Sequence, residues 1–238
     1  ISVKDANVKR YIRYGVNANP GTAQTDVFIV DKEGNVDMKA PIIWDFDKIT
    51  EISALPMDEK TLTVSGGRFT TIANREEGPH KYYARGIAVR RSNVVVEGLE
   101  HRVVETEGKS FPYGGFVNIA DCANVTVKNS IFTGHKIYYT VKPNSKSTST
   151  GTYDLTANRA LNISFINCTQ FNDILDRTCW GTMASNFCKN ILYDGCKLSR
   201  FDAHMGVANA TIRNSTLGHQ GINAIGCGTL LVENTTGN

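Results

Sequence analysis

The chain has 238 residues, 41% of them hydrophobic, enough for one large domain or two modest ones. Its formal net charge is +3 with no dense Lys/Arg tract, so nucleic acid is not an expected partner. No apolar run approaches the roughly 18 residues of a membrane span. The chain opens at Ile1 without an initiator Met and reads as processed or trimmed.

Residues 1 to 50 fit no repeat well and are expected to form an irregular N-terminal cap or first coil. Within them Val16–Thr22 reads as a loop, Asp26–Val30 as a strand and Asp31–Asn35 as the turn after it. From residue 51 to 238 one register recurs, about seven times. A polar opener stands at Thr61, Asn93, Asn124, Asn162, Asn190, Asn209 and Thr229. Apolar residues follow one and three positions later: Leu62/Val64, Val94/Val96, Val125/Val127, Ile163/Phe165, Ile191/Tyr193, Ala210/Ile212 and Leu230/Val232. Period two over so short a run means a half-buried strand. Five residues after each opener stands Gly66, Gly98, Asn129, Asn167, Gly195, Asn214 or Asn234. A sharp corner between strands needs a residue that tolerates positive φ, which Gly does freely and Asn better than most. A third short strand then carries Phe69, Phe132, Leu198 or Leu217 inward, and a first strand, often preceded by Gly, opens the next unit.

Opener spacings are 32, 31, 38, 28, 19 and 20 residues. The surplus falls at one corner, as insertions near residues 73–84, 102–113, 134–156 and 171–181, so the long loops project from one side. The pattern lacks a leucine-rich consensus, its short units cannot hold a propeller blade, and a sandwich would not keep the corner register. It predicts an all-β chain, a parallel β-helix (solenoid). Five of the six cysteines follow the same register: Cys168 aligns with Cys196, and Cys122 with Cys188 and Cys227. Stacked core filler is the expectation for them, with a Cys168–Cys196 bridge left open. The Asn-x-Ser/Thr triplets, as at Asn124 and Asn214, arise from the coil consensus itself. The chain is expected to continue beyond Asn238, because an uncapped coil exposes core and sheet edge.

The units Asn124–Asn129, Asn190–Gly195 and Asn209–Asn214 resemble coils of the right-handed parallel β-helix proteins of the pectin-lyase-like superfamily. The resemblance covers about residues 50–238. Arg200–Val207 with Leu217–Ile225 also resembles secreted bacterial β-helix proteins to which no activity attaches. It implies a secreted or cell-surface bacterial protein acting on polysaccharide or oligosaccharide in a groove on the first sheet. The calcium-binding Asp set and catalytic Arg of pectate lyases have no match here, nor does the Asp pair of polygalacturonases.

On the insertion side the register gathers polar residues from successive units. Asp202 and His204 alternate by two and share a face, and His219 belongs to the next coil. These three are the acid/base candidates of a lyase or glycoside hydrolase. Arg159, Arg177 and Asp176 are candidate charge partners, and Trp180 and Tyr153 candidate sugar platforms. Tyr113, Tyr138 and Tyr139 extend that platform. Each has a bland reading too: Asp202 as a loop-corner acceptor, the histidines as satisfied packing residues, the aromatics as loop packing. A non-catalytic glycan-binding or structural module of a larger surface or tailspike-like protein is therefore the rival. No HExxH, CxxC pair or Gly-rich phosphate loop occurs, so neither metal nor cofactor is expected.

Overall fold

The computed structural model describes residues 1–15, 18–73, 86–105, 115–140 and 148–237. Among these the chain is all-β with no helix, and so none long and apolar enough to cross a membrane. Three parallel ladders carry the repeat. The first joins Ile87–Val89, Val117–Ala120, Leu155–Asn158 and Met183–Asn186 to the middle of Lys197–Arg213. The second joins Leu62–Ser65, Val94–Glu97, Ala123–Lys128, Leu161–Ile166 and Lys189–Asp194. It continues into the last residues of Lys197–Arg213 and Thr216–Glu233. The third joins Arg68–Ala73, Glu100–Glu105, Ile131–Phe132 and Thr169–Gln170. Second and third ladders form one path of ten strands that curls through 301°. That curl, with each unit pairing to the same part of the next, is consistent with the coil expected from the repeat.

The register in the ladders is the register of the sequence. Val125 pairs with Val94 and Ile163, and Ile163 with Ile191. Their side chains meet in one core with Phe132, Phe165, Tyr193, Phe201 and Leu198, all essentially inaccessible. The first and last copies lie at the ends of the stack, and there Leu62, Leu230 and Val232 stay more than 40% exposed. The closing positions are left-handed throughout, with φ of 50° at Asn129, 52° at Asn167 and Asn214, and 65° at Gly195. The openers are left-handed as well, φ 56–62° from Asn93 to Asn209. Each opener amide donates to the carbonyl oxygen of the one before: Asn124 to Asn93 at 2.9 Å, Asn162 to Asn124 at 3.0 Å, Asn190 to Asn162 at 2.9 Å and Asn209 to Asn190 at 3.3 Å. The ladder thus holds the corner that the residue type permits.

None of the six cysteines is in a disulfide. Cys168 and Cys196 donate to the carbonyls of Val127 and Phe165 rather than to a bridge. Burial pushes the Cys188 thiol up to about 12.

The N-terminal residues form a three-stranded antiparallel sheet in which Ser2–Arg10 lies between Thr22–Val27 and Glu51–Ser53. Their contacts run along the flank of the stack. Val27 and Ala40 pack on Ala123 and Leu161. The buried Lys189 ammonium pairs with Asp26 at 2.5 Å and donates to the Pro41 carbonyl. Asp26 also accepts from the amides of Val27, Ile43 and Trp44, so its charge is fully spoken for. Tyr11 sits edge-on to Phe187, and Asn190 donates to the carbonyl of Lys39.

Candidate functional site

The outer face of the first ladder is closed by a polar network around Asp202. Asp202 lies on Lys197–Arg213 opposite Asn223, between inward-facing Phe201 and Ala203. That alternation turns its carboxylate outward. The carboxylate is nevertheless 1% exposed, because the loop side folds over it. Tyr153 donates its hydroxyl to Oδ2, Arg200 pairs with the same oxygen at 3.2 Å, and Asn223 donates to Oδ1 at 2.7 Å. Trp180 donates its indole N–H to the Tyr153 oxygen at 2.9 Å, and the Arg200 guanidinium lies 5.1 Å from the Trp180 ring. Gln220 accepts from Arg200 at 2.7 Å and donates to the carbonyl of Cys179. Two glycines make room. A Cβ at Gly181 would come within 2.8 Å of the Tyr153 ring, and one at Gly151 would overlap Trp180. Burial first, then the Asp202 charge, pushes the Tyr153 hydroxyl well above its ordinary range. The hydroxyl therefore keeps its proton and donates it.

This geometry brings Asp202, Tyr153 and Trp180 together, with Arg200, Gln220 and Asn223. The other candidates have their partners elsewhere. His204 is half-buried, and its Nε2 lies 2.7 Å from the Arg13 guanidinium. A guanidinium only donates, so Nε2 accepts and the proton sits on Nδ1. Burial is the largest cause holding the His204 pKa down, with Arg13 and Arg200 adding to it and Asp202 opposing. His219 turns to the 171–181 loop, where its backbone N and its Nδ1 both face the Ile174 carbonyl at 3.2 Å. Arg159 stands at the corner between first and second ladders, bidentate on Asp121 at 2.7 and 3.0 Å. Asp176 staples its own loop, accepting from Thr178 and pairing with Lys136 at 3.0 Å; the Thr178 hydrogen bonds above all hold its carboxyl far below the usual range. Arg177 in that loop is exposed and has no ion pair among the described residues. Phe171, at the loop's start, is 58% exposed with the Arg102 guanidinium 3.3 Å over its ring. Tyr113 and the side chains of Tyr138 and Tyr139 lie outside the described residues.

One cluster escaped the sequence reading. His101 and Gln170 occupy the inward column that elsewhere holds Phe69, Phe132, Leu198 and Leu217. Polar residues in an apolar column were the available signal. Gln170 accepts from Thr182 at 2.6 Å and from the Ser199 amide at 3.2 Å. His101 is 0% exposed and meets the equally buried Asp154, which also receives His135.

No family model and no curated protein matches the chain. Among solved structures it is similar to a "putative glycosyl hydrolase" from Parabacteroides merdae, at 12% identity and a TM-score of 0.41, covering 72% of this chain and 81% of that one.

Proposed function

We propose that this chain is a right-handed parallel β-helix of the pectin-lyase-like kind, from a secreted or cell-surface protein, that binds polysaccharide without cleaving its glycosidic bonds at Asp202. One observation carries the choice between cleavage and binding. Glycoside hydrolysis needs two carboxyl groups facing each other across an open groove, about 5–10 Å apart. Asp202 instead has both oxygens engaged by Tyr153, Arg200 and Asn223 and is 1% exposed. A carboxylate so covered lacks the access that proton transfer to a bound sugar requires. The expected partners His204 and His219 are engaged by Arg13 and the Ile174 carbonyl, and Arg159 by Asp121.

The features that support glycan binding lie on the loop crest. Phe171 is exposed, Trp180 is half-buried, and Arg177 is an exposed guanidinium in the same loop. Aromatic rings offer flat apolar faces to sugars, and a guanidinium holds a carboxylate bidentately. The ligand that fits is an acidic polysaccharide. The experiment is titration of the full chain with acidic and neutral polysaccharides, repeated with Phe171→Ala and Arg177→Ala. Both variants remove exposed groups, so the fold should be unaffected. Acidic chains should bind and lose at least about tenfold in affinity in each variant, roughly 1.4 kcal/mol. Unchanged binding in both variants, or none to any polysaccharide, would sink the reading.

A further inference from the structure

The buried cluster around Asp154 is a second chemical centre, built on the residue after Tyr153 and distinct from the Asp202 network. Asp154 Oδ2 accepts from His101 Nδ1 at 2.7 Å and from the Thr133 amide at 3.0 Å. Its Oδ1 accepts from His135 Nε2 at 3.1 Å. Burial alone would push this carboxyl up, but the hydrogen bonds from His101 and His135 outweigh it and hold the group below its ordinary value. An ionised carboxylate only accepts, so the His101 proton sits on Nδ1. In the neutral ring that leaves Nε2 as an acceptor. Thr71 Oγ1 lies 2.8 Å from Nε2 and therefore donates to it. The His101 ring is fixed by stacking on Phe116, 4.1 Å between centroids and 6° from parallel.

We propose that Thr71, His101 and Asp154 form a nucleophilic centre that hydrolyses a small O-acyl ester. The hydroxyl faces a basic nitrogen, and a carboxylate orients the base from the other side; this is the arrangement that activates a weak nucleophile. His135 meets Thr152 Oγ1 at 2.7 Å through Nδ1, but Thr71 has the better setting. Thr71 is half-buried on Arg68–Ala73, the terminal strand of the third ladder among the described residues. Phe69, two residues along on the same face of the strand and 38% exposed, supplies apolar surface for an acyl group of acetyl size.

Thr71 Oγ1 bonds to the acyl carbon while its proton passes to His101 Nε2. The bond from that carbon to the alcohol oxygen breaks, and the leaving alkoxide takes the proton. Water then attacks the acyl-threonine, giving a proton to Nε2, and Thr71 leaves as the hydroxyl by taking it back. The products are an alcohol and a carboxylic acid. The identity of the alcohol as a sugar of a bound polysaccharide rests on the glycan reading above; the centre itself does not.

The test is p-nitrophenyl acetate turnover by the full chain, with acid-quenched peptide mass mapping. The expected result is an acetyl adduct on Thr71, loss of turnover by at least about 100-fold in Thr71→Ala, and retention within about tenfold in Thr71→Ser. No turnover, an adduct elsewhere, or wild-type turnover by a folded Thr71→Ala overturns the proposal. If Thr71→Ala fails to fold, fluorophosphonate labelling of the wild-type chain decides: modification of Thr71 supports the centre, and its absence refutes it. Ester turnover without polysaccharide binding would defeat the glycan reading alone, and binding without turnover would defeat this centre alone.

Discussion

Replacing Tyr153 by Phe removes a single oxygen from the lid over Asp202. That oxygen donates to the carboxylate and accepts from Trp180. A hydrogen bond to a charged group contributes about 1.5–3 kcal/mol. Trp180 is half-buried, so water can replace part of what its indole loses. The net cost should be about 2 kcal/mol, a drop of roughly 4–8 °C in melting temperature for a chain of this size. Asp202→Asn should cost more, about 3–5 kcal/mol, because Arg200 is 8% exposed and would lose its counter-charge. The double variant should fall short of the sum by at least about 0.5 kcal/mol, since the two groups share one network. Urea and thermal melts of the three variants measure all of this. A Tyr153→Phe midpoint within about 1 °C of wild type, or strict additivity, would refute the view that this network closes the face.

Three further outcomes follow from other parts of the structure. Asn162 holds φ 56° and links Asn124 to Asn190, so Asn162→Ala should lose about 2 kcal/mol and Asn162→Gly only about 1 kcal/mol in urea melts. Asp154 has a depressed folded pKa, so its stability contribution is present above the unfolded value near 4 and is lost as pH falls through the folded value. A pH series of melts should therefore decline below about pH 4, and Asp154→Asn should flatten that decline at the price of lower stability at neutral pH. The His204 pKa is lowered as well, so its contribution is complete above about 6.5 and lost as pH falls below that. Limited trypsin digestion should cut the segment around Arg13 faster at pH 5 than at pH 8, and His204→Gln should remove the difference.

The repeat was legible because two independent constraints coincide in it. Apolar residues one and three positions after each opener fill the core, and the residue five positions on must turn a corner, so Asn129, Asn167, Gly195 and Asn214 announce themselves by type. The openers were visible as a register but not as a hydrogen-bonded ladder, although five Asn at one offset tolerate the same left-handed backbone. The third left-handed position in each unit was not readable. It is held by Asp121, Arg159, Phe187 and Gly206, and neither Arg nor Phe favours that conformation. Tertiary contacts impose it there, and so an arginine expected at a sugar is instead a corner residue paired with Asp121. Nor could the sequence show that Asp26 and Lys189 meet across the flank, or that His101 and Asp154, 53 residues apart, are hydrogen-bonded. The side chains on the loop side depend on how the insertions fold back, and no periodicity governs them.

That the loop crest binds polysaccharide and Asp202 does not cleave it is tested most directly by product formation. The full chain would be incubated with each polysaccharide it binds, then assayed for new reducing ends and for the ultraviolet absorbance of unsaturated sugars. Binding with neither signal above a protein-free control is the predicted result. Glycosidic product that appears with the wild-type chain and disappears in a folded Asp202→Asn variant would contradict the account.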